Sequence, residues 1–299
     1  RNIPGPARGR GLVEIRRLTL PAELREVVDV QLSAWGMRVE SCEAVPVHML
    51  RALSENGGLI LGAFDEGRLI GFSLGWYVVT GEGTYFYSHM TGVVEDRKYS
   101  GVGRALKLAQ RNEVLSNGVR LIRWTFDPLQ SLNSNFNLGR LGAVFTKYKE
   151  SYYGSINDSI NSGLETDRAI AEWYLDSRNV VMKLEGALRV PPAERLIAMG
   201  AAVAVKPNGP RGDERPEGPS LEEEPEVVLV GLPYSISDIA KRDPRRASEW
   251  RQATRLAYRR YLEAGYVASD FTWDSQGHGY VVMVREPLAD VLDGVRPWS

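Results

Sequence analysis

The fold of this chain is indicated by residues 84–104, which read TYFYSHMTGVVEDRKYSGVGR. The strand-like run Thr84 to Val94 enters a short loop that contains Gly101 and Gly103, and a helical pattern begins at Arg104. Glycine removes the side chain that would keep a ligand from the backbone, and the first N–H groups of a helix have no acceptor within that helix. The loop therefore predicts a site for an anion such as phosphate. The alternative is an ordinary tight turn, because two glycines before a helix also occur without any ligand.

The sequence on both sides of this loop predicts a single sheet. Two β-type runs, Gly58 to Phe64 and Arg68 to Val79, precede the strand and predict an antiparallel meander with it. After the loop, apolar residues at helical spacing end at Asn117-Gly118, and Val119 to Phe126 is strand-like again. Strand, helix and strand at these lengths predict a right-handed βαβ unit. That unit places the loop at the carboxyl ends of the strands, where open sheets bind ligands.

The whole chain divides into four segments by pattern and composition. Residues 1–12 read as a loose leader, and residues 13–205 as the main domain, which opens with an amphipathic helix. Residues 206–226 contain five prolines and an acidic cluster, which predict a mobile linker or excursion. Residues 227–299 predict a smaller α+β portion with a strand, a long helix and a closing hairpin. The expected fold class is α/β, of the α+β type, with a mixed sheet.

Composition and charge exclude several classes of protein. The chain has 299 residues, 43% hydrophobic and 25% charged, as is usual for a globular protein. A net charge of −1 argues against an affinity for nucleic acid or anionic membrane driven by overall charge. Cys42 is the single cysteine, and with three histidines it offers no disulfide and no metal-binding spacing. No apolar run reaches the roughly 20 residues of a membrane-spanning helix. We therefore expect a cytoplasmic protein without metal, nucleic-acid partner or membrane partner.

The order of helices, meander, glycine loop, helix and parallel strand resembles the GNAT superfamily of acyl-CoA-dependent N-acyltransferases. The loop of that family reads Gln or Arg, two residues, Gly, one residue, then Gly or Ala. Lys98, Gly101 and Gly103 occupy these positions here, so the leading residue keeps a charge but loses the planar fork of arginine. The stretch from Trp124 to Gly142 is similar to one uncharacterised branch of predicted GNAT proteins. The resemblance covers roughly the first 180 residues well, and the remainder is similar to the tail of that branch.

The resemblance implies an enzyme whose donor substrate is acetyl-CoA or another acyl-CoA. It implies direct transfer of the acyl group to a primary amine of a small molecule or amino acid, and Cys42 lies too far upstream to carry the group. Succinyl-CoA as donor remains an alternative, as does a non-catalytic sensor that only binds acyl-CoA. A homodimer through an edge strand of the tail is a further expectation.

The candidate donor-binding residues follow the strand end and the loop. Coenzyme A carries a pyrophosphate that fits the loop, and its pantetheine amides can pair with a strand edge. Gly92 marks a bulge that gives this arm access, or else it packs against a helix. The resemblance adds Asn133 as a pantetheine contact, with turn or cap chemistry as the alternative. The set comprises Thr91, Gly92, Val93, Val94, Lys98, Tyr99, Ser100, Gly101, Val102, Gly103, Arg104 and Asn133.

The candidate catalytic residues are His89, Tyr152 and Glu172. His89 lies beside the expected acyl position and can take a proton from the amine near neutral pH, unless it is an ordinary core histidine. GNAT enzymes often use a tyrosine to protonate the leaving thiolate, but Leu138 stands at the aligned position. Tyr152 lies downstream as a replacement, or packs within a tyrosine cluster.

The candidate acceptor-site residues are Trp35, Asp167 and Arg168. Asp167, Arg168 and Glu172 belong to a stretch that resembles the border of the acceptor pocket in the same GNAT branch. An ordinary ion pair on a strand edge is the alternative for these charged residues.

Two further motifs have competing explanations. Gly71 to Gly75 matches the G-x-S-x-G elbow of hydrolases around Ser73, but that elbow needs a helix immediately after the serine, and here the strand pattern continues. Arg251, Arg255 and Arg259 form a basic stripe at i, i+4 spacing. The stripe can hold a coenzyme phosphate, an acidic acceptor or nucleic acid, or it is a solvated helix face.

Overall fold

The computed structural model of this chain describes residues 3–4, 13–37, 43–96, 99–154 and 164–298. Its contacts divide the chain into two compact units. The first unit holds the described residues up to Trp124, and the second holds those from Thr125 onward. This boundary differs from the predicted one, which followed residue 205.

The first unit is built on a mixed sheet. Neighbouring strands in it follow the order β1 to β6, all antiparallel except for the parallel pair β5–β6. Its elements are β1 (Ile3–Pro4), β2 (Glu14–Arg17), α1 (Pro21–Trp35), α2 (Val47–Glu55), β3 (Gly58–Asp65), β4 (Arg68–Thr80), β5 (Gly83–Val93), α3 (Val102–Ser116) and β6 (Leu121–Phe126).

The predicted meander and the βαβ unit are both confirmed. Glu66 and Gly67 join β3 to β4 with positive φ angles of 49° and 80°, the conformation that a two-residue hairpin turn requires. From β5 the chain passes through α3 into the parallel strand β6. The glycine loop therefore lies between β5 and α3, as the sequence predicted.

The two faces of this sheet carry different helices. A Cβ atom at Gly92 would lie 2.7 Å from the ring of Trp35 in α1, whereas one at Gly71 would lie 3.3 Å from Leu106 in α3. A methyl group of Val93, the residue after Gly92, lies on the α3 side near Gly71. Because successive residues of a strand point to opposite faces, α1 and α3 cover opposite sides of the sheet. The apolar stripe of α1 packs with the core residues Leu18, Leu50, Ile60, Phe72 and Leu74.

The second unit contains a five-stranded sheet and a two-stranded pair. The five strands follow the order β10-β9-β11-β13-β12, in which only β9 and β11 are parallel, and β7 pairs with β8. Its elements are α4 (Ser131–Ser134), which continues as a π-helical segment (Asn135–Arg140), β7 (Tyr148–Lys149), β8 (Arg168–Tyr174), α5 (Arg178–Glu185), α6 (Ala193–Ala198), β9 (Ala202–Asn208), β10 (Arg215–Glu217), β11 (Val227–Leu232), α7 (Ile236–Arg242), α8 (Pro244–Glu263), β12 (Val267–Trp273), β13 (Gly279–Val284) and α9 (Leu288–Leu292).

Part of the segment predicted as a mobile linker or excursion, residues 206–226, belongs to this sheet. β9 extends to Asn208, and β10 pairs with it so that Pro216 lies opposite Pro207. Between them Glu214 is buried, and its carbonyl accepts a hydrogen bond of 3.1 Å from the Trp250 indole. Proline is tolerated in β10 because an edge strand needs hydrogen bonds on one side only. The proline-rich composition is therefore compatible with a short edge strand here.

The predicted elements of the tail are confirmed. β11 occupies the predicted residues, and β12 and β13 form the closing hairpin. The long helix α8 begins with Pro244 after Asp243, whose carboxylate accepts a hydrogen bond from the Arg246 N–H. This is a favourable helix start. Within the described part of the chain, none of the helices combines the length and apolar character that crossing a membrane demands.

Candidate active site

The first turn of α3 is open to ligand. The first helical hydrogen bond runs from the Ala105 N–H to the Gly101 carbonyl, and within the described residues the N–H groups of Val102 and Gly103 make no hydrogen bond. A Cβ atom at Gly101 would meet nothing within 4 Å, and one at Gly103 only a methyl of Val93 at 3.9 Å. These bare donors at a positive helix end fit a phosphate group. Lys98 lies outside the described residues.

The loop before this turn is tied to the sheet by Tyr99. Its ring is buried, and its hydroxyl donates a hydrogen bond of 3.0 Å to the carboxylate of Asp65 at the end of β3. The side chain of Tyr99 therefore anchors the loop, which leaves only its backbone for a ligand. An open cavity of ≈ 590 Å³ adjoins the loop and is lined by Val93, Val94, Glu95, Asp96, Tyr99 and Ser100.

A β-bulge interrupts β5 at His89. Leu74 pairs with Met90 and Gly75 pairs with Ser88, so His89 is an extra residue without an opposite partner on β4. Gly92 was expected to mark a bulge or splay of the strand, or else to pack against a helix; the bulge lies three residues earlier, at His89. Gly92 is instead needed for packing, because any side chain there would overlap the Trp35 ring.

The parallel pairing of β5 with β6 is short. Within the described residues it comprises Phe86 opposite Ile122 and Tyr87 opposite Arg123. The part of β5 from Ser88 to Val93 lies beyond the last pair. A strand edge of this kind can bind an extended chain of amides, as when a peptide extends a sheet.

His89 lies on the surface of an aromatic cluster. Its ring centre is 5.3 Å from that of Trp76 and 6.2 Å from that of Tyr87. The side chain is exposed, so the alternative of a core histidine is wrong. The surrounding protein removes part of the water around the imidazole and thereby lowers the pKa of His89 below its ordinary value. A neutral imidazole at this position can accept a proton.

Sequence reasoning missed a buried lysine, Lys107, on the inner face of α3. Its Nζ donates hydrogen bonds to Ser88 Oγ at 2.8 Å and to Gln110 Oε1 at 3.4 Å, and it lies 4.0 Å from the ring centre of Trp124. Burial lowers the pKa of Lys107 to about 7. A signal was present, because Lys107 stands three residues before Gln110 and seven before Val114, both buried on the same face.

The second unit holds the predicted acceptor residue Asp167 in an ion pair. Arg255 donates to both of its oxygens at 2.7 Å, the Tyr148 hydroxyl adds a bond of 2.6 Å, and the Ser151 N–H adds one of 3.0 Å. Burial alone would raise the pKa of Asp167, but these hydrogen bonds outweigh it and lower the pKa. The carboxylate therefore lies in a buried ion pair, and its role at the acceptor site stays a prediction.

The other candidates of the second unit occupy different settings. Arg168 is buried, and its guanidinium donates to the Asp167 carbonyl at 2.8 Å. Tyr152 is 43% exposed and packs edge-on against Tyr153, with ring centres 4.7 Å apart. Glu172 is buried in β8 and accepts a hydrogen bond of 3.4 Å from the Thr146 hydroxyl. The roles proposed for these residues stay predictions.

Asn133 is exposed at the end of α4. Its side-chain carbonyl accepts a hydrogen bond of 3.2 Å from the amide of Asn137, one helical turn further on. Leu138, at the position of the usual tyrosine acid, is fully buried. The contact of Asn133 with pantetheine stays a prediction.

Two of the three arginines in the stripe on α8 are buried in ion pairs, so these two are neither exposed to solvent nor available to bind a phosphate. Arg251 binds both carboxylate oxygens of Asp127, and Arg255 binds Asp167. Only the outer member, Arg259, is about half exposed, and it pairs with Glu150 at 3.1 Å. The acidic partners lie far away in sequence, which is why spacing alone did not reveal them.

Ser73 lies in the middle of β4, which continues to Thr80. A nucleophile elbow needs a turn into a helix directly after the serine. The hydrolase motif is therefore coincidental, as the sequence indicated. Within the described residues there is also no cluster of side chains suited to hold a metal ion.

Comparison with known proteins gives matches in structure only. No family model matches the chain, and no curated protein matches it. Similar solved structures include an acetyltransferase of the GNAT family from Streptococcus pneumoniae, with 13% identity, a TM-score of 0.43, and coverage of 54% of this chain and 97% of that chain.

Two further structures are similar over the same share of the chain. The ribosomal-protein-S18-alanine N-acetyltransferase from Escherichia coli has 15% identity and a TM-score of 0.43, with 54% of this chain and 92% of that chain covered. The PaiA N-acetyltransferase from Thermoplasma acidophilum, in complex with coenzyme A, has 15% identity and a TM-score of 0.39, with 54% and 98% covered. Each of these similarities covers about half of this chain.

Proposed function

We propose that the protein is a GNAT-type N-acyltransferase, which moves an acyl group from an acyl-CoA to a primary amine of a small molecule or amino acid. One observation carries this proposal: β5 has no pair with β6 beyond Tyr87 among the described residues, and eight residues lie between the end of β5 and the open first turn of α3. An extended edge followed by a bare helix start suits a ligand with an amide-containing arm and a diphosphate. Coenzyme A has both parts.

Each part of the donor has a proposed set of contacts. The N–H groups of Val102 and Gly103 bind the pyrophosphate, supported by the dipole of α3. The edge of β5 from Ser88 to Val93 binds the pantetheine amides. The fit is supported by the open space at Gly101 and Gly103, which a Cβ atom would fill.

The bulge at His89 is the proposed place of reaction. The amine must lose a proton before it attacks the thioester, and the lowered pKa of His89 keeps its imidazole neutral and able to accept that proton. Trp76 and Tyr87 beside His89 suit a cationic amine, because aromatic faces attract ammonium groups.

The test measures donor binding and thiol release together. Purified protein is titrated with coenzyme A by calorimetry, and release of free thiol from acetyl-CoA and succinyl-CoA is followed with a panel of amines. We expect Gly103→Leu to weaken coenzyme A binding by at least about tenfold, which is about 1.4 kcal/mol, because the side chain enters the space of the phosphate.

The matched control is Gly81→Leu, which also points into open space, has no positive φ, and lies in the turn between β4 and β5. It should bind coenzyme A like the wild type. The proposal is wrong if wild-type protein gives no binding heat and releases no thiol with either donor.

A non-catalytic acyl-CoA sensor is the second candidate function. The buried Leu138 at the position of the usual tyrosine acid favours it. A sensor would bind coenzyme A in the same titration but release thiol only at the background rate with every amine.

A further inference from the structure

Lys107 is a buried cation without a carboxylate partner among the described residues. Its Nζ contacts two neutral acceptors, the Ser88 hydroxyl at 2.8 Å and the Gln110 side-chain carbonyl at 3.4 Å, and the face of the Trp124 ring at 4.0 Å. Each of these contacts favours the protonated amine, since acceptors receive its N–H groups and an aromatic face attracts a cation. Burial disfavours the charge and brings its pKa to about 7. The Lys107 amine can therefore both carry a proton and release it near neutral pH.

The position of this amine in the sheet is specific. The last pair between β5 and β6 joins Tyr87 and Arg123, and the two contacts of Lys107 on these strands, Ser88 and Trp124, are the next residue on each. Lys107 therefore lies where the two strands stop pairing. Ser88 also immediately precedes the bulge at His89. Ser88 is therefore the chain neighbour of the residue at which the thioester is proposed to react.

Further polar side chains lie on the strands β4 and β5 and on α3. Among the described residues, Ser73 Oγ, Thr91 Oγ1 and the side-chain nitrogen of Gln110 are buried and have no protein hydrogen-bond partner. Ser73 and Thr91 are opposed across β4 and β5. Buried polar groups are normally satisfied, so these atoms have hydrogen-bonding capacity for water or a polar ligand.

We propose that Ser88 donates a proton to the leaving sulfur of coenzyme A and takes one in turn from the Lys107 ammonium. This inference rests on the proposed function. When the amine nitrogen forms its bond to the acyl carbon, the carbon–sulfur bond breaks and its electron pair goes to sulfur. The Ser88 hydroxyl protonates that sulfur, and Lys107 restores the hydroxyl and becomes a neutral amine. The proton lost by the attacking amine passes through His89 to solvent, from which Lys107 is protonated again.

The relay would replace the missing tyrosine. Leu138 offers no proton at the aligned position, whereas Ser88 on β5 and Lys107 on α3 offer one in this scheme. Among the described residues, the groups in contact with the amine are uncharged: Ser88 on β5, Trp124 on β6 and Gln110 on α3. Ser88 is the catalytic residue in this scheme, and Lys107 is the positioning residue that supplies its proton.

The test compares Lys107→Met, Lys107→Arg, Ser88→Ala and Ser88→Thr with the wild type in the thiol-release assay. General acid catalysis contributes about 10²–10⁴-fold, so we expect kcat to fall at least about 100-fold in Lys107→Met and Ser88→Ala. Ser88→Thr keeps a hydroxyl and should retain most of the activity. Arg111→Met, on the same helix one turn further on, is the control and should leave kcat unchanged.

Two readouts separate proton transfer from a structural role. The wild type should lose activity as the pH rises through about 7, because the relay needs protonated Lys107, and Lys107→Met should lack this alkaline decline. Lys107→Arg keeps the charge but does not release its proton, so it should be as slow as Lys107→Met. Calorimetry with coenzyme A and thermal unfolding verify that each variant folds and binds the donor.

Three outcomes would overturn the relay. Activity restored by Lys107→Arg would mean that only the charge matters, and an unchanged pH profile in Lys107→Met would mean that Lys107 does not titrate in catalysis. An acetyl group found on Ser88 by mass spectrometry would make this serine a nucleophile instead of an acid. If the wild type itself releases no thiol, the proposed function fails, whereas an active wild type with unaffected variants refutes the relay alone.

Discussion

Arg251 and Asp127 form a two-pronged ion pair, with N–O distances of 2.8 and 2.7 Å, although 124 residues separate them in sequence. Both side chains are nearly excluded from solvent. Removing one partner of a buried pair leaves the other charge without compensation and costs about 3–5 kcal/mol. We therefore expect Arg251→Met to lower the free energy of unfolding by about that amount in denaturant titrations.

The double variant Asp127→Leu with Arg251→Met is the informative comparison for this pair. It removes both charges, so it should regain part of the lost stability. If Arg251→Met alone is as stable as the wild type, the pair does not hold the second unit together in solution. Arg245→Met, at a side chain that is 91% exposed on the same helix, should change stability little.

Asp167 should make stability depend on pH in the acidic range. Its folded-state pKa is lowered by hydrogen bonds, so its stabilising effect is complete above the unfolded-state pKa of about 3.9 and is lost as the pH falls through the folded-state pKa. Asp167→Asn should therefore be less stable than the wild type at pH 7, and the difference should shrink towards pH 3. Thermal unfolding midpoints at both pH values measure this. A constant difference across the range would contradict the assignment.

Gly92 and Trp35 form a close contact that a side chain would break. A Cβ atom at Gly92 would lie 2.7 Å from the Trp35 ring, so Gly92→Val should strain the contact between β5 and α1. Overpacking of this kind costs about 1–3 kcal/mol. Trp35→Leu removes the obstacle and should recover part of that loss in the double variant. If Gly92→Val unfolds at the same denaturant concentration as the wild type, the close contact between Gly92 and Trp35 is contradicted.

His89 should determine the acidic limb of the activity profile. The neutral imidazole is the active form, so activity should fall as the pH drops through the lowered pKa of His89, below about 6.5. We expect His89→Gln to reduce kcat by about 100-fold and to remove this limb. Val79→Gln, at an exposed position of β4, is the control and should match the wild type. Retention of the acidic limb in His89→Gln would assign it to another group.

The sequence correctly predicted those helices and strands whose ends are marked by glycine or proline, or whose apolar residues repeat at a clear spacing. Gly36 ends α1 in a left-handed conformation, Pro244 begins α8, and Glu66-Gly67 turns β3 into β4, each as local chemistry requires. The glycine loop at the start of α3 was found for the same reason. Such features depend on residues that are neighbours in the chain.

Features that depend on distant partners were missed or misassigned. Arg255 looked like part of a solvated face because its partner Asp167 is 88 residues away. The edge strand β10 looked like a linker because its pairing with β9 is invisible in its composition. Lys107 was not predicted because its burial depends on contacts with Ser88 of β5 and Trp124 of β6, which are distant in sequence. Pairing between segments, more than local preference, decided these cases.

The hydrogen bond from Tyr99 to Asp65 affects how tightly a donor can bind. It joins Tyr99, three residues before the start of α3, to Asp65 at the end of β3, which is 34 residues away in sequence. The backbone at Tyr99 is therefore restrained before a ligand binds. A rigid receptor loses less conformational freedom on association than a floppy one, which favours tighter binding for the same contacts. Tyr99→Phe would keep every backbone N–H donor but remove this hydrogen bond. The loop would then have to become ordered as the donor binds, which would weaken binding.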